Sequence, residues 1–266
     1  MAATLSKVRI VASLVVCLID DYTGEACKRG KFSLTLEDKV VRRPVPKPEG
    51  YYVFTDLPGG SCRLSIRSDI FFEETLDVNL DAIDDPEGVL YVSLRPRSFY
   101  PFPEGAALIR GGLRDEEGRP AGGVRVRAVM LSENSARARV SRDGCGAGER
   151  EIGVANASGI ISVNDIFLLK EKSGEEAEYI QVAGAVKEEG RYRLAEPLKS
   201  ECGAKTLLLP VVDTRTDERG ELAVYFRGLK QEGCRVRLEF KGTDRVWGKE
   251  TEVSEANTTN LGVFSW

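Results

Sequence analysis

Two stretches of this chain follow one template. Gly50-Tyr51-Tyr52-Val53-Phe54-Thr55-Asp56-Leu57 is followed by Cys62-Arg63-Leu64, and Gly220-Glu221-Leu222-Ala223-Val224-Tyr225-Phe226, with Leu229, is followed by Cys234-Arg235-Val236. Each has an opener upstream, Asp21-Tyr22-Thr23-Gly24-Glu25 and Asp115-Glu116-Glu117-Gly118-Arg119-Pro120. A strand-turn-strand unit written twice limits the chain to two copies of one small β fold. The expected fold class is all-β: two tandem antiparallel β-sandwich units, the second with a β-rich insertion. The expected boundaries are 1–95 for the first unit, 96–107 for a Pro/aromatic connector and 108–266 for the second, with the insertion at about 131–210.

Alternation of apolar and polar residues predicts the strands. In the first unit these are Val8 to Ile19, Phe32 to Leu36, Tyr51 to Thr55, Cys62 to Ile66, Leu76 to Leu80 and Val89 to Leu94. The apolar run ending at Ile19 passes straight into the first opener, so it reads as a buried strand and not as a targeting segment. Thr23-Gly24 and Pro58-Gly59-Gly60 supply turns. In the second unit Val124 to Met130 alternates Val124, Val126, Ala128 and Met130 inward with Arg125 and Arg127 outward. Gly159 to Val163, Tyr179 to Val186, Tyr192 to Leu194 and Thr206 to Val212 suggest further strands, and Lys170 to Glu178 a solvated turn. In the connector Pro101 and Pro103 resist helix and sheet, while Phe99, Tyr100 and Phe102 favour an ordered strap packing one unit on the other.

The openers, together with Gly50-Tyr51-Tyr52-Val53-Phe54-Thr55-Asp56-Leu57-Pro58-Gly59-Gly60, resemble the carboxypeptidase regulatory-like (transthyretin- or prealbumin-like) β-sandwich family. The resemblance covers most of 1–95 and the outer parts of 108–266. It implies a spacer, scaffold or binding module. Transthyretin-like hydrolases of the family use histidines, and this chain has none; zinc carboxypeptidases carry their metal on a separate domain. Adhesin relatives form Lys–Asn isopeptide bonds, for which no Lys-Glu-Asn set stands out here. The Tyr100-Pro101-Phe102-Pro103 connector followed by Leu108-Ile109-Arg110-Gly111 also looks similar to accessory proteins of phage-tail-like contractile particles.

Composition narrows the chemistry. With no histidine there is no histidine base, zinc ligand or Ser-His or Cys-His nucleophile. A net charge of −4 creates no field that selects nucleic acid, and no apolar run is long enough to span a membrane. The six cysteines form no C-x-x-C pair, and Cys62, in step with Leu64 and Ile66, reads as a small core residue. Reduced buried thiols are therefore expected. Three glycines around Cys145 leave an exposed reactive thiol as an alternative, with no base in view to lower its pKa.

The charge pattern with the clearest binding potential is Arg125, Arg127, Arg137 and Arg139, with Arg142 beyond. Spacing of two places each pair on one strand face. If Met130 to Ala136 is a hairpin, the pairs join in one basic patch suited to an acidic partner; the alternative is a solvated face neutralised by nearby acids. Asp81, Asp84, Asp85 and Glu87 lack a calcium-loop pattern because Pro86 interrupts it. Gly111-Gly112 and Gly122-Gly123 read as bulges or turns. Trp247 and Tyr225 are the aromatics a glycan module would use, and Asp115, Glu116 and Glu117 the acids a hydrolase would use. The preferred reading is a non-enzymatic structural or interaction protein, an accessory or scaffold subunit of a multi-protein assembly. It has no cofactor and no metal site, and a homo-oligomer is an open alternative. Lack of an export signal points to the cytoplasm or to a released particle.

Overall fold

The computed structural model describes residues 12–38, 40–82, 88–230, 232–242 and 245–265. The expected strand start at Val8, Asp84, Asp85 and Glu87 of the acidic loop, and Trp266 lie outside them. The chain forms two compact units, one of residues 1–21 with 25–95 and one of residues 22–24 with 96–266.

The first unit contains β1 (Ala12–Asp20), β2 (Glu25–Ala26), β3 (Phe32–Glu37), β4 (Val41–Arg42), β5 (Val45–Pro46), β6 (Tyr51–Thr55), β7 (Ser61–Ser68), β8 (Glu74–Asn79) and β9 (Val89–Leu94). One sheet runs β2-β1-β6-β5, with β9 on the other side of β1; the second runs β4-β3-β7-β8. The predicted alternation appears in β7, where Cys62, Leu64 and Ile66 are buried while Ser61, Arg63 and Arg67 are exposed. The uninterrupted apolar stretch of β1 has the cause expected for a central strand. It pairs with β6 and with β9, and Leu14, Val16, Cys17 and Leu18 are all buried.

The second unit contains β10 (Leu108–Arg114), β11 (Arg125–Met130), β12 (Ala138–Val140), β13 (Glu151–Ala155), β14 (Ile166–Lys170), β15 (Glu176–Ala185), β16 (Arg191–Leu194), β17 (Leu207–Arg215), β18 (Glu221–Tyr225), β19 (Cys234–Lys241), β20 (Val246–Val253) and β21 (Thr258–Ser265). Its sandwich repeats the first. The order β18-β10-β21 matches β6-β1-β9, and β11-β19-β20 matches β3-β7-β8. Cys62 and Cys234 fall near the start of equivalent strands, both buried. The core of this sandwich joins Ile109 and Leu113 of β10, Val126 and Ala128 of β11, Val224 of β18 and Leu238 and Phe240 of β19. In each unit the last strand lies parallel to the first, β9 on β1 and β21 on β10, within otherwise antiparallel sheets.

The insertion is a closed barrel. Its strands run β12-β13-β16-β15-β14-β17, and β12 returns to pair with β17 at Ala138↔Leu208. Inside lie Ala138, Val140, Ile152, Phe167, Leu169, Ile180, Val182, Leu194 and Leu208. β17 serves both bodies, pairing with β12 and β14 through its first half and with β11 through its second. Met130 to Ala136 is therefore not a hairpin. β11 and β12 follow one another along the same edge of β17, with Val129 opposite Val211 and Ala138 opposite Leu208, and a short 3-10 turn, Glu133–Ser135, between them. Gly159 to Val163 is not a strand either: Gly159 has φ +114° and Ile160 is 74% exposed.

Four cysteines, Cys17, Cys27, Cys62 and Cys234, are free and buried, but Cys145 and Cys202 form a disulfide. They face each other as an antiparallel bridge near one end of the barrel, exchanging backbone hydrogen bonds of 3.0 and 2.8 Å, with Cα atoms 5.2 Å apart. The expectation of reduced thiols thus fails at this pair, and the alternative of an exposed Cys145 fails because Cys145 is buried. The partners are 57 residues apart, so no local spacing announces them.

Candidate functional site

The outer face of β17, β11, β19 and β20 carries a cluster of charged residues. β11 buries Val126, Ala128 and Met130 and so turns Arg125 and Arg127 outward. Directly opposed residues of neighbouring strands share a face, so the register sets out rows. The first row is Arg215–Arg125–Lys241–Val246. The second is Asp213–Arg127–Glu239–Gly248.

The second row is neutralised within the fold. Arg127 donates Nε to Asp213 Oδ1 and Nη2 to Asp213 Oδ2, both at 2.8 Å, and its guanidinium lies 4.5 Å from the ring centre of Tyr179 on β15. The hydrogen bonds it donates to Asp213 push its pKa above the ordinary arginine value despite burial. Next to it, Arg237 donates to both oxygens of Glu176 at 2.7 and 2.8 Å and to Glu239 at 3.0 Å. The bond from Arg237 holds the Glu176 carboxyl below the usual range, against desolvation. The β14–β15 hairpin of the barrel is thereby tied to β19. Under this network lies a separate apolar cluster of Val129, Leu168, Leu207, Leu209 and Val211.

The four arginines singled out by the sequence do not form one patch. Arg137 donates to the Ser158 carbonyl at 2.9 Å and the Arg227 carbonyl at 2.8 Å, and burial pushes its pKa down. Arg227 in turn is held by both oxygens of Asp165. Arg139 pairs with Glu133 at 3.0 Å, and Arg142 is exposed in a turn beyond β12. The patch needed a hairpin, and the chain instead continues along β17. Of the four, Arg127 and Arg139 are ion-paired and Arg137 is spent on carbonyls, while Arg125 has no ion pair among the described residues. Sequence reasoning missed its neighbours Arg215 and Lys241, which lie far along the chain. Beside the row is a cleft of about 160 Å³, lined in part by Arg125, Arg127, Asp213, Glu239, Lys241 and Val246.

The strap packs on its own unit. Leu108 and Tyr225 oppose each other on the side of β10 and β18 away from the core, and both are buried. Tyr100, Phe102 and Tyr22 join Tyr225 there, with the Tyr100 and Phe102 rings 4.7 Å apart and the Tyr22 and Phe102 rings 5.2 Å apart. Arg110 donates to the Ser98 carbonyl at 2.6 Å, and the Ser98 hydroxyl donates to Asp217. Phe99 stays out of this cluster and is 52% exposed.

The remaining candidates are structural. Asp115 caps the backbone N–H groups of Glu117 and Arg119 and pairs with the Arg119 side chain, which also holds Glu117, while Glu116 pairs with Arg245. Tyr225 is buried and unable to stack on a sugar; Trp247 packs against Phe240 and Phe264. Gly122 and Gly123 lie in a turn, and Gly111 lies opposite the bulge that shifts the register of β21. No group of three or more Cys, Asp or Glu among the described residues is placed to hold a metal ion.

No family model and no curated protein matches the chain. Solved structures similar to it include a streptococcal ancillary pilin, at 11% identity over 95% of this chain and 68% of that one, with a TM-score of 0.24. A mutant of the shaft pilin SpaA from Lactobacillus rhamnosus GG is similar at 8% identity over 94% of this chain and 96% of that one, with a TM-score of 0.24. A variant of BcpA, the major pilin subunit of Bacillus cereus, is similar at 10% identity over 95% of this chain and 70% of that one, with a TM-score of 0.25.

Proposed function

We propose that the chain is a non-enzymatic structural and interaction protein, a subunit of a multi-protein assembly, made of two carboxypeptidase regulatory-like sandwich units. One observation carries the reading. Among the described residues, each unit ends its first sheet on an edge strand with no charge and no proline: β9, Val-Leu-Tyr-Val-Ser-Leu, and β21, Thr-Thr-Asn-Leu-Gly-Val-Phe-Ser. Natural edges are commonly blunted by charge or proline. β8 carries Glu74 and Asp77, β20 carries Lys249, Glu250 and Glu252, and β5 carries Pro46. Two equivalent edges left unguarded suit strand addition by a partner, where main-chain hydrogen bonds supply the affinity.

The finer form of the reading is an accessory subunit of a phage-tail-like contractile particle, supported by the resemblance of the connector. The Cys145–Cys202 disulfide favours a released particle over a chain kept in a reducing cytoplasm. The test is the native mass and composition of the complex purified from the source cell at moderate salt, with wild type beside Val89→Lys and Val263→Lys. The wild-type chain is expected in a defined larger particle, and the edge lysines should release it without changing its own melting temperature. A wild-type chain that runs alone at its own mass would overturn the reading.

A further inference from the structure

We infer that Arg125 and Lys241, at the end of the β11–β19 ladder, form a docking site for an acidic peptide segment of a partner protein. Arg125 stands directly opposite Arg215 on one side and Lys241 on the other. Neighbouring Cα atoms in such a row are about 4.5–5.5 Å apart, and like charges set directly opposite each other destabilise a sheet. Arg215 is half-buried with an interaction of its own, so the residues that carry the site are Arg125 and Lys241, both exposed and without an ion pair among the described residues. The nearest acids along the same strands are already engaged, Asp213 by Arg127 and Glu239 by Arg237. A fold that neutralises one row and leaves Arg125 and Lys241 of the next facing each other breaks a local rule, and such breaks concentrate where a surface is used.

The chemistry selects the partner. The row is open to water, where one ion pair changes affinity about fivefold at best. A small lone anion therefore gains little, whereas a chain that brings several carboxylates at once gains from each and is steered by the field. Val246, opposite Lys241 and 71% exposed, adds an apolar contact beside the charges. The fitting segment is one that interleaves acidic and apolar residues. This site is separate from the edge strands β9 and β21, and one can fail without the other.

The experiment uses the full chain and a fluorescent peptide of alternating Glu and Val, read by anisotropy at low and at physiological salt. The expected result is binding that weakens with salt and falls by more than roughly tenfold in the Arg125→Glu, Lys241→Glu double variant. Arg125→Lys should stay close to wild type, as should Lys28→Glu, a charge reversal at an exposed lysine of the first unit. In the absence of peptide, Arg125→Glu should raise the Tm by about 2–4 °C, because it relieves the repulsion in the row. Three results would overturn the proposal: no binding by the wild type, binding that survives the double reversal, or inorganic polyphosphate bound through Arg125 and Lys241 while the peptide is not.

Discussion

Thr214 and Thr216 sit two positions apart on and just after β17 and are both buried, yet their hydroxyls differ in fate. Thr216 Oγ1 accepts from the Val124 N–H at 3.0 Å and donates to the Ala121 carbonyl at 2.7 Å. The Thr214 hydroxyl, opposite Val126 on the core side, has no hydrogen-bond partner among the described residues. A buried hydroxyl without a partner costs stability, while one that satisfies two backbone groups protects them. Thr214→Val keeps the shape and removes the orphan, so it should stabilise the protein by about 1 kcal/mol, whereas Thr216→Val should cost about 1–3 kcal/mol. Urea unfolding measures both, and a loss at Thr214→Val would mean that its hydroxyl is in fact bonded. Neither outcome is legible in the sequence, where the two threonines look alike. The same holds for Arg125 and Arg127, identical in pattern, of which Arg127 is clamped by Asp213 and Arg125 has no ion pair among the described residues.

At the scale of single elements, the glycine that opens each copy of the template has a geometric cause. Gly50 has φ +75° and Gly220 φ +71°, a region that residues with a Cβ enter at a cost. At Gly220 a Cβ would also lie 2.3 Å from the Leu113 carbonyl oxygen and 2.9 Å from the Ala121 nitrogen. Gly60 has φ +78° but open space around it. Gly60→Ala should therefore cost about 1–2 kcal/mol, the left-handed backbone alone, and Gly220→Ala more than about 3 kcal/mol, because backbone must move as well. Thermal melts of the two variants compare them directly, and equal costs would show that the Leu113 contact relaxes freely. Strand legibility follows the same local logic. β3 and β7 alternate and are readable, whereas β14, Ile-Phe-Leu-Leu-Lys, buries Phe167 and Leu169 in the barrel and Leu168 in the cluster outside it, so its pattern has no period of two.

At the scale of the whole molecule the disulfide is a covalent tie between distant parts of the chain. Its partners are 57 residues apart and lie near one end of the barrel, so it restricts the unfolded chain over most of the insertion. Reduction should cost about 2–4 kcal/mol. A thiol titration of the denatured, unreduced protein should find four thiols, those of Cys17, Cys27, Cys62 and Cys234. Six reactive thiols would remove the staple and with it the case for an oxidising location. The missing histidines act at this scale too. With no side chain whose ordinary pKa lies near neutrality, the protein's charge changes little between about pH 6 and 8.

By itself the sequence determined the two sandwiches. Alternation with a period of two, glycine at left-handed turns and a template used twice are all local signals, and the fold obeys them over most of 12–95 and at both ends of the second unit. Only the tertiary structure decided that the insertion closes into a barrel, that Cys145 meets Cys202, and that Arg125 stands between Arg215 and Lys241. Each of these depends on which strand lies beside which across long separations. Pairing of that kind is set by the packing of whole sheets and leaves no mark in the residues on either side of the chain.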